Sequence, residues 1–421
     1  MLTIKRVPTV VSNYQDQEET TSENSEAGCG SNCLGNCSLP VSKLPLYQIT
    51  KDKVDLTEEA SGEEPRMSFL HDLLLGQWED RMNRGLFRYD VTSCETKIIP
   101  GEYGFIAQLN EGRHLKKRAT EFRIDQVLQS FDENKFNFTK IGQEEMLFRL
   151  DDSKSPSVVA INVSPIEYGH VLLIPRVLDC LPQRIDHESF LLALYVAKEA
   201  ADPFFRLGYN SLGAFATINH LHFQAYYLPL PFPVEKAPTS RIVTVKGHQD
   251  TQVIISQLLN YPVRGLVFEV GKSLRDLSHA VASSCICLQN NNIPFNVLIS
   301  DCGRRIILFP QCYAEKQALG EVSQELLDTQ VNPAAWEISG HIVLKRRKDF
   351  EEAPEEYAWR VLSEVSLSEE RFQEVKAYVL EAVGLQKPIL EENGIIQEED
   401  SLDKLPALEA QRVVQNCTVQ H

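Results

Sequence analysis

The sequence predicts a mixed α/β fold (α+β) in which antiparallel sheets are flanked by helices. Residues 158–175 combine an apolar segment, a Pro/Gly turn and a second apolar segment, a pattern typical of a β-hairpin. Residues 68–84 and 186–205 instead repeat apolar residues at helical spacing, so both are predicted to be amphipathic helices. A similar hairpin pattern at 294–310 indicates that the chain contains two related halves.

Composition and periodicity divide the chain into four regions. Residues 1–65 are rich in Ser, Glu, Gln and Gly and are expected to be disordered, apart from anchoring apolar residues at Leu44–Tyr47. Residues 66–240 form the predicted catalytic half. Residues 241–385 form a second half that ends in helices and lacks any His-x-His pair, and the acidic segment 386–421 is expected to be a loose tail.

Within the catalytic half, residues 136–141 and 146–149 are predicted to be paired strands. The Gly208–Gly213 turn follows the second helix and leads into a strand predicted within 216–228. The predicted order is therefore hairpin, helix and then a strand that carries the candidate catalytic residues. In the second half, residues 341–344 are predicted to be a further strand.

Three polar residues, His220, His222 and Gln224, occupy every second position of an otherwise apolar segment. Period-two alternation places them on one face of a strand, while the apolar residues between them face the other way. Unpaired polar groups are costly to bury, so the row requires a chemical reason. Imidazole is a good nucleophile at neutral pH, and a phosphorylated imidazole can pass a nucleotidyl group onward. An incidental pair, a structural metal site or a satisfied core contact is the alternative for a His-x-His motif.

Composition is that of a large soluble enzyme. The chain has 421 residues, of which 43% are hydrophobic, and no apolar run approaches the roughly twenty residues that span a membrane. The first six residues lack the apolar core of a signal peptide, and ten scattered cysteines are best explained as free thiols in a reducing compartment. The expected location is the cytosol. The basic run 345–348 either marks the end of a strand or is a nuclear localisation signal. In the second case the protein would be expected in the nucleus as well as in the cytosol.

A formal charge of −17 argues against nonspecific nucleic-acid binding. Phosphate-bearing substrates must nevertheless reach the site, so basic residues are expected to line it. The basic candidates in the catalytic half are Arg84, Arg88, the 113–118 cluster, Lys135 and Arg176.

A resemblance to a known family rests on four segments, 83–90, 134–138, 219–224 and 332–337. The Asn-x-x-Pro…Gly-His-x-Leu-x-x-Pro stretch at 162–175 resembles the first-hairpin signature of the histidine-triad superfamily. The ending in Gln224, rather than in a third histidine, is similar to the transferase branch that contains galactose-1-phosphate uridylyltransferase. Together the four segments resemble the plant GDP-hexose phosphorylases, over about residues 66–385. The resemblance implies two histidine-triad-like halves, of which only the first carries the nucleophile.

The resemblance also implies a reaction and its substrates. His222 would attack the α-phosphorus of GDP-L-galactose, and inorganic phosphate would then release GDP from the GMP-histidine, a step in ascorbate biosynthesis. The backbone carbonyl of His220 would orient the His222 ring. An amide at Gln224 can donate hydrogen bonds to phosphate oxygens but cannot shuttle protons, which favours phosphorolysis over hydrolysis.

Other polar residues are candidates for substrate binding. Thr217 matches a phosphoryl-contacting position of the uridylyltransferase branch, and an ordinary strand threonine is the alternative. Glu337 could bind sugar hydroxyls. The competing interpretation is that Trp336 belongs to the core and Glu337 is a surface residue. The remaining candidates are Asn219 in the motif, Asn210 near the phosphates, Asn137 at the nucleobase edge and Arg88.

Neither a metal nor a cofactor is expected for the covalent step. The chain contains no Cys-x-x-Cys pair, so the zinc that some uridylyltransferases bind is not expected, and His220 should form a hydrogen bond instead. Cys29, Cys33 and Cys37 supply three thiols, whereas zinc usually has four ligands. A homodimer is a further expectation from the resemblance.

Several alternatives remain open on sequence grounds. A GDP-D-glucose phosphorylase differs only in its hexose. A non-catalytic nucleotide-binding regulatory protein would have no use for a nucleophile, and a nucleotide hydrolase is disfavoured by Gln224.

Overall fold

The computed structural model describes residues 41–49, 68–116, 123, 125–247 and 251–384. Three sequence predictions concern residues outside these ranges: the disorder of most of 1–65, the loose tail 386–421 and the three N-terminal cysteines. The predicted anchor at Leu44–Tyr47 is confirmed. The backbone of this segment runs beside Arg149, whose carbonyl accepts from the Tyr47 N–H at 2.8 Å.

Strands and helices alternate irregularly along the chain. The strands are β1 Glu95–Ile98, β2 Ile106–Leu109, β3 Met146–Arg149, β4 Val158–Ile161, β5 Val171–Ile174, β6 Phe205–Asn210, β7 Phe223–Tyr227, β8 Thr239–Lys246, β9 Gln252–Leu258, β10 Leu266–Val270, β11 Phe295–Ser300, β12 Arg305–Pro310 and β13 His341–Leu344. The helices are α1 Phe69–Asn83, α2 Glu111–Lys116, α3 His187–Ala200, α4 Pro233–Lys236, α5 Leu274–Asn290, α6 Tyr313–Leu319, α7 Gln324–Thr329, α8 Ala335–Ile338, α9 Arg347–Glu352, α10 Glu355–Ser363 and α11 Glu369–Ala382. No helix in the described residues is both long and apolar enough to cross a membrane.

The two long helices of the catalytic half begin where the sequence indicates. The Ser68 hydroxyl caps α1 by accepting from the His71 N–H at 3.1 Å, and the Asp186 carboxylate caps α3 by accepting from the Ser189 N–H at 2.8 Å. The second helix is shorter than predicted. It ends at Ala200 because Pro203 cannot continue a helix, and the chain enters β6 instead.

Within the described residues the larger sheet has ten strands in the order β3-β4-β5-β7-β6-β11-β12-β10-β9-β8, and every neighbouring pair is antiparallel. From either edge of the sheet toward its centre, the strands of the two halves follow in corresponding order: β3-β4-β5-β7-β6 from one edge and β8-β9-β10-β12-β11 from the other. Helix α3 lies between β5 and β6 in the chain, and α5 lies correspondingly between β10 and β11. The predicted two-halved α/β fold is therefore confirmed, with β6 and β11 paired at its centre.

This symmetry corrects one sequence interpretation. The hairpin at 294–310 is β11–β12, and its position in the sheet corresponds to β6–β7, not to the 158–175 hairpin. The true counterpart of that hairpin is β9–β10. Strand β12 therefore corresponds to β7, the strand that follows His220 and His222. The residues directly before β12, 301–304, include no histidine. The boundary at 240/241 stays a prediction.

The central strands are apolar on both faces because both faces are covered. Val171 and Leu173 of β5 pack in the core formed with α1, α3, α5 and α11, whereas Leu172 and Ile174 face the other side. The smaller sheet β1-β2-β13 and helix α8 pack on that other side of the larger sheet. The candidate site lies on the same side, away from the four long helices.

Two further local predictions were wrong. Residues 136–141 are not a strand but contain a 3₁₀ turn, Phe138–Lys140, and the partner of β3 is β4. The histidine motif is not wholly in a strand either, since β7 begins at Phe223. His220 and His222 lie in the preceding loop, and only Gln224 has its orientation set by the sheet. The backbone N–H groups of Leu221 and His222 donate to the Leu181 carbonyl and to Gln183 Oε1, so they do not pair with a neighbouring strand. Phe138 packs against both imidazole rings there.

Candidate active site

A cavity of about 430 Å³ opens in front of β5 and β7. Its apolar lining consists of Leu86, Phe136, Phe138, Ile141, Ile161, Val163, Leu172 and Ile218. Its polar lining consists of Arg88, Arg113, Lys140, Glu145, Asn162, Ser164, Thr217, His222 and Gln224. A cavity that combines apolar walls with cationic and amide groups fits a nucleoside that carries phosphates.

The His222 ring is held from one side. Its Nδ1 lies 2.8 Å from the His220 carbonyl oxygen and 3.0 Å from Gln183 Oε1. Both atoms are acceptors, so Nδ1 carries the proton and Nε2 keeps its lone pair. The carbonyl of His220 is the partner that the resemblance implied, and the tautomer that results is the one a nucleophile needs.

Gln183 is a site residue that the sequence did not reveal. It is buried, its Oε1 accepts the His222 backbone N–H at 2.9 Å, and its Nε2 donates to the carbonyls of Asn210 and His222. The residue lies in the irregular loop between β5 and α3, where no periodicity or motif marks it. Its role follows from tertiary contacts alone.

Burial lowers the pKa of His222 to about 4, and the hydrogen bond to the His220 carbonyl opposes the shift only in part. Burial, and then the proximity of His222, lower the pKa of His220 to about 3. Both rings are therefore neutral at pH 7. His170, buried behind Gln224, has its pKa lowered well below 6.5, first by burial and then by Arg113.

The rate of the first chemical step is expected to be flat from about pH 5.5 to 8 and to fall only as the pH approaches 4. Protonation of Nε2 removes the nucleophile, and this occurs near pH 4 because the folded-state pKa of His222 lies below 6.5. The measurement is the rate of hexose 1-phosphate release at each pH with phosphate absent. An acid limb near pH 6.5 would contradict a buried nucleophile.

Stability must be followed in the same experiment. Unfolded histidines bind protons below about pH 6.5 that the folded rings cannot bind, so the free energy of unfolding falls as the pH drops. Circular dichroism at each pH separates loss of fold from loss of the nucleophile.

Gln224 has its amide orientation set by Trp336. The Trp336 Nε1–H lies 3.3 Å from Gln224 Oε1, and because an indole nitrogen only donates, the facing amide atom must be the oxygen. The indole packs on Tyr226 with ring centroids 4.2 Å apart, and Gly208 leaves it room, since a Cβ there would lie 3.0 Å from the ring. The amide NH₂ is thus the end available to phosphate oxygens.

A second, smaller cavity of about 40 Å³ adjoins the first and shares Arg113 and Gln224 with it. Its other lining residues are Ile166, Asn210, Phe215, Asn332, Ala334, Trp336, Glu337, Val343 and Lys345. Trp336 is core, as one sequence interpretation held, but Glu337 is not a surface residue, since it is 7% exposed. Burial lowers the pKa of Lys345, while the nearby Glu337 raises it. His222 lines the larger cavity, and Gln224, two residues further along, lines both.

The structure separates the sequence-predicted site residues into two groups. His222, Gln224, Thr217 and Arg88 line the larger cavity, and Asn210 lines the smaller one. Of the other basic candidates Arg113 lines both, whereas Arg84 and Arg176 form ion pairs elsewhere.

His220, Asn219 and Asn137 line neither cavity and instead support the site. The Nδ1 of His220 accepts the Phe138 backbone N–H at 3.1 Å. Asn219 Oδ1 accepts the Gln183 N–H at 2.8 Å. Asn137 caps the 3₁₀ turn through its Oδ1, which accepts from Thr139 N–H at 3.1 Å. All three hold the loops that carry the cavity wall.

In the part of the chain that the structure describes, no three His, Cys, Asp or Glu side chains are grouped so that they could hold a metal ion.

Comparison with known proteins identifies the relatives of this fold and site. GDP-L-galactose phosphorylase 1 of Arabidopsis thaliana is 65% identical, over 91% of this chain and 90% of its own. GDP-L-galactose phosphorylase 2 of the same plant is 64% identical over 91% of each chain, and GDP-D-glucose phosphorylase 1 of Danio rerio is 32% identical over 77% and 94%. These relatives confirm the resemblance drawn from the four segments.

A solved structure confirms the fold class. The crystal structure of the yeast Ap4A phosphorylase Apa2 in complex with Ap4A aligns with a TM-score of 0.51 at 15% identity, over 71% of this chain and 98% of that one. Two family models match along the sequence, the GDPGP1-like N-terminal domain at residues 69–226 and the GDPGP1-like C-terminal domain at 233–386. Together they span most of the chain, which therefore belongs to the GDPGP1-like family.

Proposed function

We propose that this chain catalyses the phosphorolysis of GDP-L-galactose, giving L-galactose 1-phosphate and GDP. The observation that carries the proposal is the His222 ring, which lines the larger cavity, has its Nδ1–H held by two acceptors and keeps the lone pair of Nε2. The 65% identity to a GDP-L-galactose phosphorylase supports the choice of substrate.

The first step transfers GMP to the enzyme. The Nε2 lone pair of His222 forms a bond to the α-phosphorus, and the bond from that phosphorus to the bridging oxygen breaks. The electron pair leaves with hexose 1-phosphate, which is a stable anion and needs no general acid. Gln224 donates its amide hydrogens to phosphate oxygens, and Arg113 supplies positive charge on the shared wall of the cavities.

The second step reverses the direction of transfer. An oxygen of inorganic phosphate attacks the α-phosphorus of the GMP-histidine, the P–N bond breaks and its electron pair returns to Nε2. The products are GDP and the original neutral imidazole. Because hexose 1-phosphate leaves before phosphate reacts, the kinetics are expected to be ping-pong.

The lining residues suggest an orientation for the substrate. The apolar walls formed by Phe136, Phe138 and Leu172 suit the guanosine, and Glu337 and Asn332, which line the small adjoining cavity, are candidates to bind the hexose hydroxyls. His222 and Gln224 would then face the α-phosphate between them. The pKa of His222, lowered to about 4, keeps the nucleophile neutral throughout.

The test is turnover of GDP-L-galactose with and without inorganic phosphate. Without phosphate, one equivalent of hexose 1-phosphate should be released per enzyme, and the intact mass should increase by one GMP. Added phosphate should then release that group as GDP. Continuous GMP formation without phosphate would show a hydrolase instead, and faster turnover of GDP-D-glucose would reassign the hexose.

A further inference from the structure

The larger cavity contains one carboxylate among its described lining residues, that of Glu145. A negative charge is unexpected in a site that must admit a nucleotide with two phosphates, since like charges repel. The cationic lining, Arg88, Arg113 and Lys140, is what the phosphates require. Glu145 therefore needs a different partner, and the nucleobase is the part of the substrate that carries no charge.

The position of Glu145 relative to Gln224 follows from the sheet register. Met146 of β3 pairs with Ala160 of β4, Ala160 with Leu172 of β5, and Leu172 with Gln224 of β7. One row of residues thus crosses four strands, with Gln224 at one end and the residue after Glu145 at the other. Three strand spacings amount to roughly 14 Å. That length suits a nucleoside monophosphate extended between Glu145 and the Gln224 end of the row, close in the chain to His222, with Leu172 beneath it.

The bonding of Glu145 leaves part of its carboxylate available. The side chain is half-buried, and its Oε1 accepts the Gly142 backbone N–H at 3.1 Å, which closes the turn before β3. No hydrogen bond from the described residues reaches Oε2. Phe136 and Ile141, which also line the cavity, supply the apolar surface on which a base can pack.

We infer that Glu145 reads guanine, and the inference rests on the proposed GDP-hexose function. Guanine presents an N1–H and a 2-amino group side by side, and a carboxylate can accept both. Adenine presents an acceptor at N1 and no 2-amino group, while hypoxanthine keeps the N1–H alone. A carboxylate at this end of the cavity therefore selects guanine over both.

The adjacent Glu144 provides a matched control. It is exposed, does not line the larger cavity and approaches Arg84 at 3.7 Å. Glu144→Gln and Glu145→Gln remove the same charge one position apart. Glutamine at 145 keeps an oxygen for the Gly142 N–H, so the turn before β3 should survive.

The experiment is calorimetric binding of GMP, IMP and AMP to the full chain, since none of the three carries a leaving group and none can react. The wild type should bind GMP about ten- to a hundredfold more tightly than IMP, because IMP lacks one hydrogen bond to a charged acceptor. Glu145→Gln should reduce that ratio to about threefold or less. Glu144→Gln should keep the wild-type ratio.

Two results would overturn the assignment. One is a wild type with no preference for GMP over IMP; the other is a Glu145→Gln protein that keeps the wild-type preference at an unchanged melting temperature. The proposed function fails separately, through absent phosphorolysis of GDP-L-galactose, and the GMP-to-IMP ratio does not depend on that assay.

Discussion

Replacing His222 with glutamine is expected to lower the kcat of GDP-L-galactose phosphorolysis by at least about 10⁴-fold, whereas His220→Gln should lower it by about tenfold or less. The Nε2 of His222 lies at the cavity and has its lone pair free for attack, since Nδ1 donates to the His220 carbonyl. The His220 ring instead accepts the Phe138 N–H, and glutamine retains an acceptor for that bond. Both variants keep the backbone carbonyl that orients residue 222.

The two variants are compared by intact mass after mixing with GDP-L-galactose and no phosphate. Only His220→Gln should acquire a covalent GMP, and both should bind GMP with near-wild-type affinity. Labelling of His222→Gln would assign the nucleophile to another residue and refute the chemistry proposed above.

The second large effect is expected from replacing Gln183, which should lower both the stability of the fold and the catalytic rate. Gln183→Leu should lower the free energy of unfolding by about 3 kcal/mol, because it leaves buried backbone groups of His222 and Asn210 without partners. It should also lower kcat about a hundredfold. The His222 Nδ1–H loses one of its two acceptors, so the ring is less well oriented for attack.

Gln289→Leu is the matched control for this variant. Gln289 is equally buried and bonds the backbone of Ile185 in the same loop, but it does not touch His222. Urea unfolding should therefore show a similar loss of stability in both variants. Single-turnover release of hexose 1-phosphate, measured where both are folded, should be slow only in Gln183→Leu. Equal rates of hexose 1-phosphate release in the two variants would show that Gln183 has only a structural role.

Local signals identified the elements whose side-chain pattern follows from their own periodicity. Helices α1 and α3 begin at the Ser68 and Asp186 caps that the sequence indicates, and the 158–175 hairpin forms where apolar runs flank a Pro/Gly turn. The choice of His222 as nucleophile and the family came from the motif residues and from resemblance. These features depend on neighbours in the chain, and a sequence displays such neighbours directly.

The site itself depends on contacts between distant segments. Gln183 reaches His222 from a loop 39 residues earlier, and Trp336 sets the amide of Gln224 from 112 residues later. The row that places Glu145 opposite Gln224 exists only after three strand pairs have formed.

The errors of the sequence interpretation have the same origin. The period-two row at 220–224 predicted a strand, but the N–H groups of Leu221 and His222 donate to Leu181 and Gln183 of a distant loop instead of to a neighbouring strand. The sequence alone thus determined the starts of α1 and α3, the 158–175 hairpin, the motif and the family. The tertiary structure decided which polar groups meet, because hydrogen bonds and cavities form between segments whose separation along the chain carries no periodic signal.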